Sequence, residues 1–214
     1  MRPPFGVILA GGRATRMAGV DKGLLPLGAG TILGHVIHRL SPQVAGLALN
    51  ANGDPARFAA FGLPVLPDPV TGHPGPLAGV LAGLDWAAES GADTIVTVAA
   101  DTPFFPTDLV ARLTRAAEAM ETPLVLAATP RRQHEETRSM SRAGHIRHPT
   151  FGLWPVALRD DLRAALHGGL RKVVAWTEPH GGRETVFGAP GDPFFNVNTP
   201  EDLATAQAML ERAQ

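Results

Sequence analysis

Three cations and a carboxylate stand where a phosphorylated ligand could be held. The stretch VILAGGRATRMAGVDKG, residues 7–23, leaves a short apolar run through Gly11 and Gly12. It then carries Arg13, Arg16 and Lys22 against one acid, Asp21. Backbone N–H groups in a glycine-rich turn can converge on an anion, and arginine and lysine add charge-assisted hydrogen bonds to phosphate oxygens. The loop is therefore read as a cradle for a triphosphate. It lacks the Gly-Lys-Ser/Thr ending of a Walker loop and the G-x-G-x-x-G spacing of a dinucleotide fold. The competing reading is an exposed loop with solvated charges.

The second candidate is Asp101, which closes the apolar, β-branched run DTIVTVAAD. A carboxylate at the end of a buried strand suits a hard cation such as Mg²⁺, which takes one or two carboxylates together with phosphates and water. A helix-capping role before TPFFP is the alternative. Asn50 ends the run VAGLALN, and its amide both donates and accepts, as recognition of a base or ribose requires. Asparagine is equally at home in a turn. Eight histidines raise the question of zinc, but no H-E-x-x-H pattern occurs and no set approaches four ligands at the usual spacing. The chain has no cysteine, which excludes disulfides, thiolate metal sites and thiol nucleophiles.

These residues need a scaffold, and the hydrophobic pattern supplies one. FGVILA (Phe5 to Ala10) reads as a buried strand ending at glycines. TILGHVIHRL places Ile32, Val36, Ile37 and Leu40 on one helical face, with Thr31 as the cap. DPARFAAFG opens on an aspartate and a first-turn proline and stops at Gly62, so it predicts a short helix. LPVLPD is a brief strand ending at Asp68. PGPLAGVLAGLDWAAESG is a helix closed by Gly91, and TDLVARLTRAAEAM is a helix capped by Thr107. PLVLAAT, TFGLWPVA and a segment near ETVFG read as strands. RDDLRAALHGG and RKVVAW read as helical or short segments. The last helix, TPEDLATAQAMLERA, has Thr199 as cap, Pro200 at its first position and acids in its first turn. Strands alternating with helices predict an α/β fold: three α/β/α layers around a mostly parallel, Rossmann-like sheet, with ligands at the carboxyl ends of its strands. PRRQHEETRSMSRAGHIRH, Pro130 to His148, is polar and arginine-rich and reads as a surface loop.

A chain of 214 residues suits one domain spanning 1–214. A net charge of −1 gives no global pull toward nucleic acid or anionic membrane, so anion recognition has to be local. No stretch approaches the roughly 18 unbroken apolar residues of a membrane helix, and the opening apolar run is short for a secretory signal. A cytoplasmic enzyme without nucleic-acid or membrane partners is expected.

LAGGRATRMAGVDKGLLPL resembles the L-A-G-G-x-x-x-R-M-G-G-x-D-K-x-L-L-x-L signature of the molybdenum cofactor guanylyltransferases, within a wider group of nucleotidyltransferases. Further landmarks of that family recur in order: LNAN at Leu49, PDPVTGHPGPLAG at Pro67, AADTPF at Ala99, HPTFGLW at His148, GLRKVVAW at Gly169 and FFNVNTPEDL at Phe195. Two features depart from the pattern: Ala18 stands where the family usually has glycine, and the Pro130 to His148 segment is longer than usual.

The resemblance implies a nucleotidyltransferase fold with a nucleotide-binding N-terminal half and an acceptor-binding C-terminal half. It implies transfer of GMP from GTP to the terminal phosphate of molybdopterin or molybdenum cofactor, with Mg²⁺ as cofactor. A molybdoenzyme or cofactor-delivery protein would be a further partner. It assigns Leu9, Ala10, Gly11 and Gly12 to the nucleotide, with guanine contacted through backbone groups. Arg16 and Lys22 fall on the triphosphate, and Lys22, Asp101 and Arg16 form the catalytic set. Asn50 and Asp68 are further nucleotide contacts, although PDP at Asp68 is also turn chemistry. Asn198 joins Asp101 at the metal, with Asn196 as the alternative. His148, Arg171 and Lys172 fall on the acceptor side. The rival functions are a cytidylyltransferase for the same cofactor, another nucleotidyltransferase with a phosphate acceptor, and a non-catalytic molybdopterin carrier.

Overall fold

Strand β1 (Phe5–Leu9) runs through the middle of the sheet, and its apolar residues explain why. Val7 and Leu9 pack against one layer of helices while Ile8 packs against the other, so both faces are covered. The computed structural model describes residues 2–11, 16–17, 20–72, 75–131, 141, 144–188 and 191–212, with backbone alone at 16, 17 and 20. After β1 come the short strands β2 (Arg16–Met17), β3 (Val20–Asp21), β4 (Pro26–Leu27) and β5 (Gly30–Thr31). Helix α1 (Ile32–Leu40), β6 (Leu47–Asn50), β7 (Val65–Leu66), α2 (Pro76–Glu89) and β8 (Thr94–Ala99) follow. The second half carries α3 (Leu109–Ala117), β9 (Val125–Pro130), β10 (His145–Pro155), α4 (Arg159–His167), α5 (Val173–Thr177), β11 (Arg183–Val186) and α6 (Pro200–Arg212).

Seven strands form the main sheet in the order β11-β9-β10-β8-β1-β6-β7. All neighbours are parallel except β10, which runs antiparallel to both β8 and β9. Helices α1 and α3 cover one face and α2, α4 and α5 the other, which gives the three-layer α/β/α arrangement. The chain leaves β1 toward β6 on one side and later returns to β8 on the other. A crevice therefore opens at the carboxyl end of β1, where strand order reverses.

Local chemistry sets the element ends. Thr31 Oγ1 accepts from Gly34 N at 3.0 Å and caps α1. Thr199 and Asp202 form a reciprocal cap on α6: Asp202 N donates to Thr199 Oγ1 at 3.1 Å, and Asp202 accepts from Thr199 N and Asn198 N, both at 2.9 Å. Trp154 is fully buried in β10, and its indole N–H donates to Thr97 Oγ1 at 2.8 Å.

Three expectations are corrected and one is met. Leu33 joins Ile32, Val36 and Leu40 in the core of α1, while Ile37 is only partly buried. The short helix expected at DPARFAAFG is present as the 3₁₀ helix Pro55–Phe61, with Asp54 accepting from Ala56 N and Gly62 ending it in the left-handed region at φ 63°. The N-cap of α3 is Asp108, not Thr107, and its side chain makes no capping bond. The Pro130 to His148 segment is strand at both ends, because β9 reaches Pro130 and β10 begins at His145. Its charges made it look solvated, yet Arg147 is paired with Glu184 at 2.6 Å and Glu178 at 3.0 Å.

Gly83 sets how closely α2 approaches the sheet. A Cβ there would lie 2.6 Å from Val7 Cγ2 and 2.9 Å from Ile95 Cδ1. Gly83→Ala should therefore lower stability by about 2 kcal/mol through overpacking, measured by urea unfolding at unchanged m-value.

Candidate functional site

A cavity of about 320 Å³ occupies the crevice. Leu9, Ala10 and Gly11 form its floor where β1 ends, and the neighbouring strands hold that floor in place. Ala10 N donates to Asn50 O at 2.9 Å, and Ala100 N donates to Leu9 O at 3.1 Å. Asn50 and Asp68 line one side. Asp101, Thr150, Asn196 and Asn198 line the other, and Asp21 and Lys22 enter from the loop after β1.

The Asn50–Asp68 wall is a closed hydrogen-bond set. Asn50 Nδ2 donates to Leu66 O at 3.0 Å and to Asp68 Oδ1 at 2.9 Å, while Asn52 Nδ2 donates to Asp68 Oδ2 at 2.7 Å. Asp68 N in turn donates to Asn52 Oδ1 at 2.9 Å. Two glycines leave room for the Asn50 amide. A Cβ on Gly79 would stand 2.2 Å from Asn50 Oδ1, and one on Gly11 would stand 3.1 Å from it. Helix α2 can thus lie against the wall only because Gly79 has no side chain.

Lys22 is 9% exposed, and its ammonium donates to Asn198 Oδ1 at 2.9 Å. Burial raises the pKa of Asp101 above the ordinary carboxylate value; the Thr102 hydroxyl and the Lys22 charge oppose that rise without cancelling it. Thr102 Oγ1 lies 3.2 Å from Asp101 Oδ1 and also makes a short contact with the Asn196 amide oxygen. One hydroxyl carries one proton, so Thr102 donates to Asp101 and accepts from Asn196 once that amide is turned to present its NH₂. Val197 between the two asparagines is fully buried. In extended chain, Asn196 and Asn198 therefore both face the cavity. The donor set is hard: one carboxylate with amide and hydroxyl oxygens beside it. It fits an oxygen-loving divalent cation that keeps other ligands from water or phosphate, and not a tetrahedral nitrogen–sulfur site. Among the described residues, no three His, Asp or Glu side chains cluster in a metal-holding group.

A family model described as the MobA-like NTP transferase domain matches residues 6–182. A curated molybdenum cofactor guanylyltransferase from Bradyrhizobium sp. (strain ORS 278) is 51% identical over 208 residues, covering 95% of this chain and 92% of that protein. The chain belongs to the molybdenum cofactor guanylyltransferases. A second relative of that name, from Mesorhizobium japonicum, is 47% identical over 212 residues, covering 96% of this chain and 95% of its own. The crystal structure of molybdopterin-guanine dinucleotide biosynthesis protein A from Archaeoglobus fulgidus shares the fold. Its TM-score is 0.69 at 19% identity, over 97% of this chain and 99% of that one. This guanylyltransferase is accordingly a nucleotidyltransferase enzyme.

Of the residues singled out from sequence, Leu9, Ala10, Gly11, Lys22, Asn50, Asp68, Asp101 and Asn198 line one guanylyltransferase cavity. Gly12, Arg13 and Ala18 lie outside the described residues, as does the Arg16 side chain; the Arg16 backbone pairs with Asp21. His148 is not on the cavity wall. It stacks on Phe194 at 4.2 Å, and its Nε2 is 3.0 Å from Thr129 Oγ1. Arg171 and Lys172 are exposed. The Arg171 carbonyl comes within 3.7 Å of where a Cβ on Gly75 would sit, and Gly75 borders the cavity; the Arg171 guanidinium donates to Leu166 O and Leu170 O. Sequence reading passed over Asn52, Thr102 and Thr150. Each lies two residues or fewer from an assigned position and inside one of the landmarks LNAN, AADTPF and HPTFGLW, which is the signal that could have found it.

Two ionisation consequences are measurable. At neutral pH the ionised Asp101 carries the part of its desolvation cost that Thr102 and Lys22 do not offset, and that cost fades as pH falls through its raised pKa. In protein free of nucleotide and metal, Asp101→Asn should raise the melting temperature at pH 7.5, and the gain should shrink toward pH 4. Burial pushes the His148 pKa down from 6.5 to about 4, only partly offset by the charge of Asp192. The native state then refuses a proton that the unfolded chain accepts below 6.5. Up to roughly 3 kcal/mol of stability should be lost between pH 6.5 and 4, and His148→Gln should flatten that part of the profile in urea unfolding.

Proposed function

We propose that this chain transfers GMP from GTP to the terminal phosphate of molybdopterin, or of its molybdenum-bearing form, and releases pyrophosphate. The observation that carries the reading is that Lys22, which is buried, and Asp101, which is half-buried just after β8, face one cavity whose floor is the backbone of Leu9, Ala10 and Gly11. The relatives' shared name supports guanine as the base, and backbone N–H and C=O groups where a strand ends suit a base edge. The Asn50–Asp68 wall stands next to that floor, where it would meet base or ribose.

In this reading an acceptor phosphate oxygen attacks the α-phosphorus in line. A new P–O bond forms, the bond to the β-phosphate oxygen breaks, and pyrophosphate leaves with the electron pair. The nucleophile is already an anion, so no side chain need act as a strong base. The protein's work is to position reactants and to offset charge. Lys22, held by Asn198, would aim its ammonium at the phosphates, and Arg16 would add a second cation. Mg²⁺ would be held by Asp101, with Asn198 or Asn196 nearby, and when bound it supplies charge neutralisation on phosphate oxygens. Thr102 keeps the Asp101 carboxylate turned into the cavity. His148, Arg171 and Lys172 belong to the half of the molecule proposed to hold the acceptor; of the three, only the Arg171 backbone comes near the cavity border, at Gly75.

The experiment is pyrophosphate release with GTP, CTP and ATP, with and without molybdopterin, in Mg²⁺. Release should require molybdopterin and GTP, with CTP below a tenth of that rate. Lys22→Ala should lower kcat about 10²–10³-fold at an unchanged fold. Preference for CTP would move the chain to the cytidylyl branch. Molybdopterin binding with no release from any nucleotide would make it a carrier.

A further inference from the structure

The geometry points to Arg57 as a positioning residue that clamps the phosphate-side loop of the cavity to its Asn50–Asp68 wall. Resting on the nucleotide assignment above, this adds a residue that no motif marks.

Asp21 is the one acid in a loop otherwise built of cations, and it lines the cavity beside Lys22. Left unpaired, its carboxylate would repel a triphosphate. Arg57, from the 3₁₀ helix Pro55–Phe61, supplies the countercharge, with its Nε 2.7 Å from Asp21 Oδ2 and both side chains largely buried. The Nε–H is not aligned on that oxygen, so the contact is an ion pair and not a linear hydrogen bond. The rest of the fork points the other way. Nη2 donates to Asn52 O at 2.6 Å and Nη1 to Asp54 O at 2.9 Å. Asn52 is the residue that receives Asp68 N and donates to Asp68 Oδ2.

One guanidinium thus links Asp21, adjacent to Lys22, to the residue that orients Asp68. Only arginine presents donors in two directions from a planar group, and lysine would reach one partner at a time. The clamp is seated by its surroundings. The guanidinium lies over the Phe58 ring at 4.6 Å, and Phe58 itself borders the cavity. Gly53, at φ 84°, keeps the turn beneath it clear, since a Cβ there would stand 3.1 Å from Nη1.

A clamp of this kind serves binding more than chemistry. It makes the two walls of the cavity meet a nucleotide at a fixed separation, and it leaves the reacting phosphorus untouched. The test is steady-state kinetics on the full chain with GTP, Mg²⁺ and molybdopterin, for Arg57→Gln, Asp21→Asn and the double variant, with melting temperatures recorded alongside. Arg57→Gln should raise KM for GTP about tenfold with kcat within threefold of wild type, and Asp21→Asn should raise KM about fivefold. The double variant should be no worse than Arg57→Gln within twofold, because both changes break one link. The inference is overturned if Arg57→Gln leaves KM within twofold of wild type, if it lowers kcat alone, or if the single effects multiply in the double variant. KM is unaffected by an inactive misfolded fraction, so a partly unfolded variant still answers the question. Absence of GTP turnover in the wild type would instead strike the nucleotide assignment itself.

Discussion

A buried ammonium and a half-buried carboxylate share one cavity, and most of the molecule is arranged to make that tolerable. Neither charge would be stable alone in an apolar interior. Lys22 leans on Asn198, and Asp101 has the hydroxyl of Thr102, yet Asp101 still resists ionising. The fold therefore holds a carboxylate whose desolvation its neighbours only partly offset, and a bound cation would offset it further. That is a ground state suited to a metal-bound triphosphate, because binding relieves a cost the empty protein bears.

The sheet makes the same point in steric terms. Parallel strands β1, β6 and β8 end at one level, and their carboxyl ends deliver Leu9 to Gly11, Asn50 and Asp101 to a common crevice. Helix α2 crosses behind them at a distance set by Gly79 and Gly83. Bulk at either position would push the helix off the strands. At Gly79 it would strike the asparagine that holds Asp68. Packing and recognition are here the same constraint, met by the absence of two methyl groups.

Much of this arrangement was legible in the chain, for physical reasons that differ from residue to residue. Asp101 stood out because an acid at the end of a β-branched run has few other uses. Lys22 stood out through the glycine loop around it. The three-layer fold followed from strands alternating with capped helices. The reversed direction of β10 was hidden, because period-two alternation is the same in parallel and antiparallel strands. Arg147 disguised a strand as a loop, since the glutamates that neutralise it come from segments more than thirty residues later. Arg57 was silent for a similar reason: an arginine in a short 3₁₀ turn looks solvated until Asp21 is placed beside it.

The hydrogen bond from Lys22 to Asn198 has a consequence for how the enzyme comes into being. It joins the first loop of the chain to the residue just before its last helix, whose reciprocal Thr199–Asp202 cap also grips the Asn198 backbone. Gly28 N bonding to Gln207 Oε1 ties that helix to the β4–β5 turn as well. These are pairings of very high sequence separation, the slowest kind to form. A nascent chain emerging from the ribosome can therefore assemble its base-side wall early, while the cation that would grip phosphate waits untethered for the segment leading into the last helix to dock.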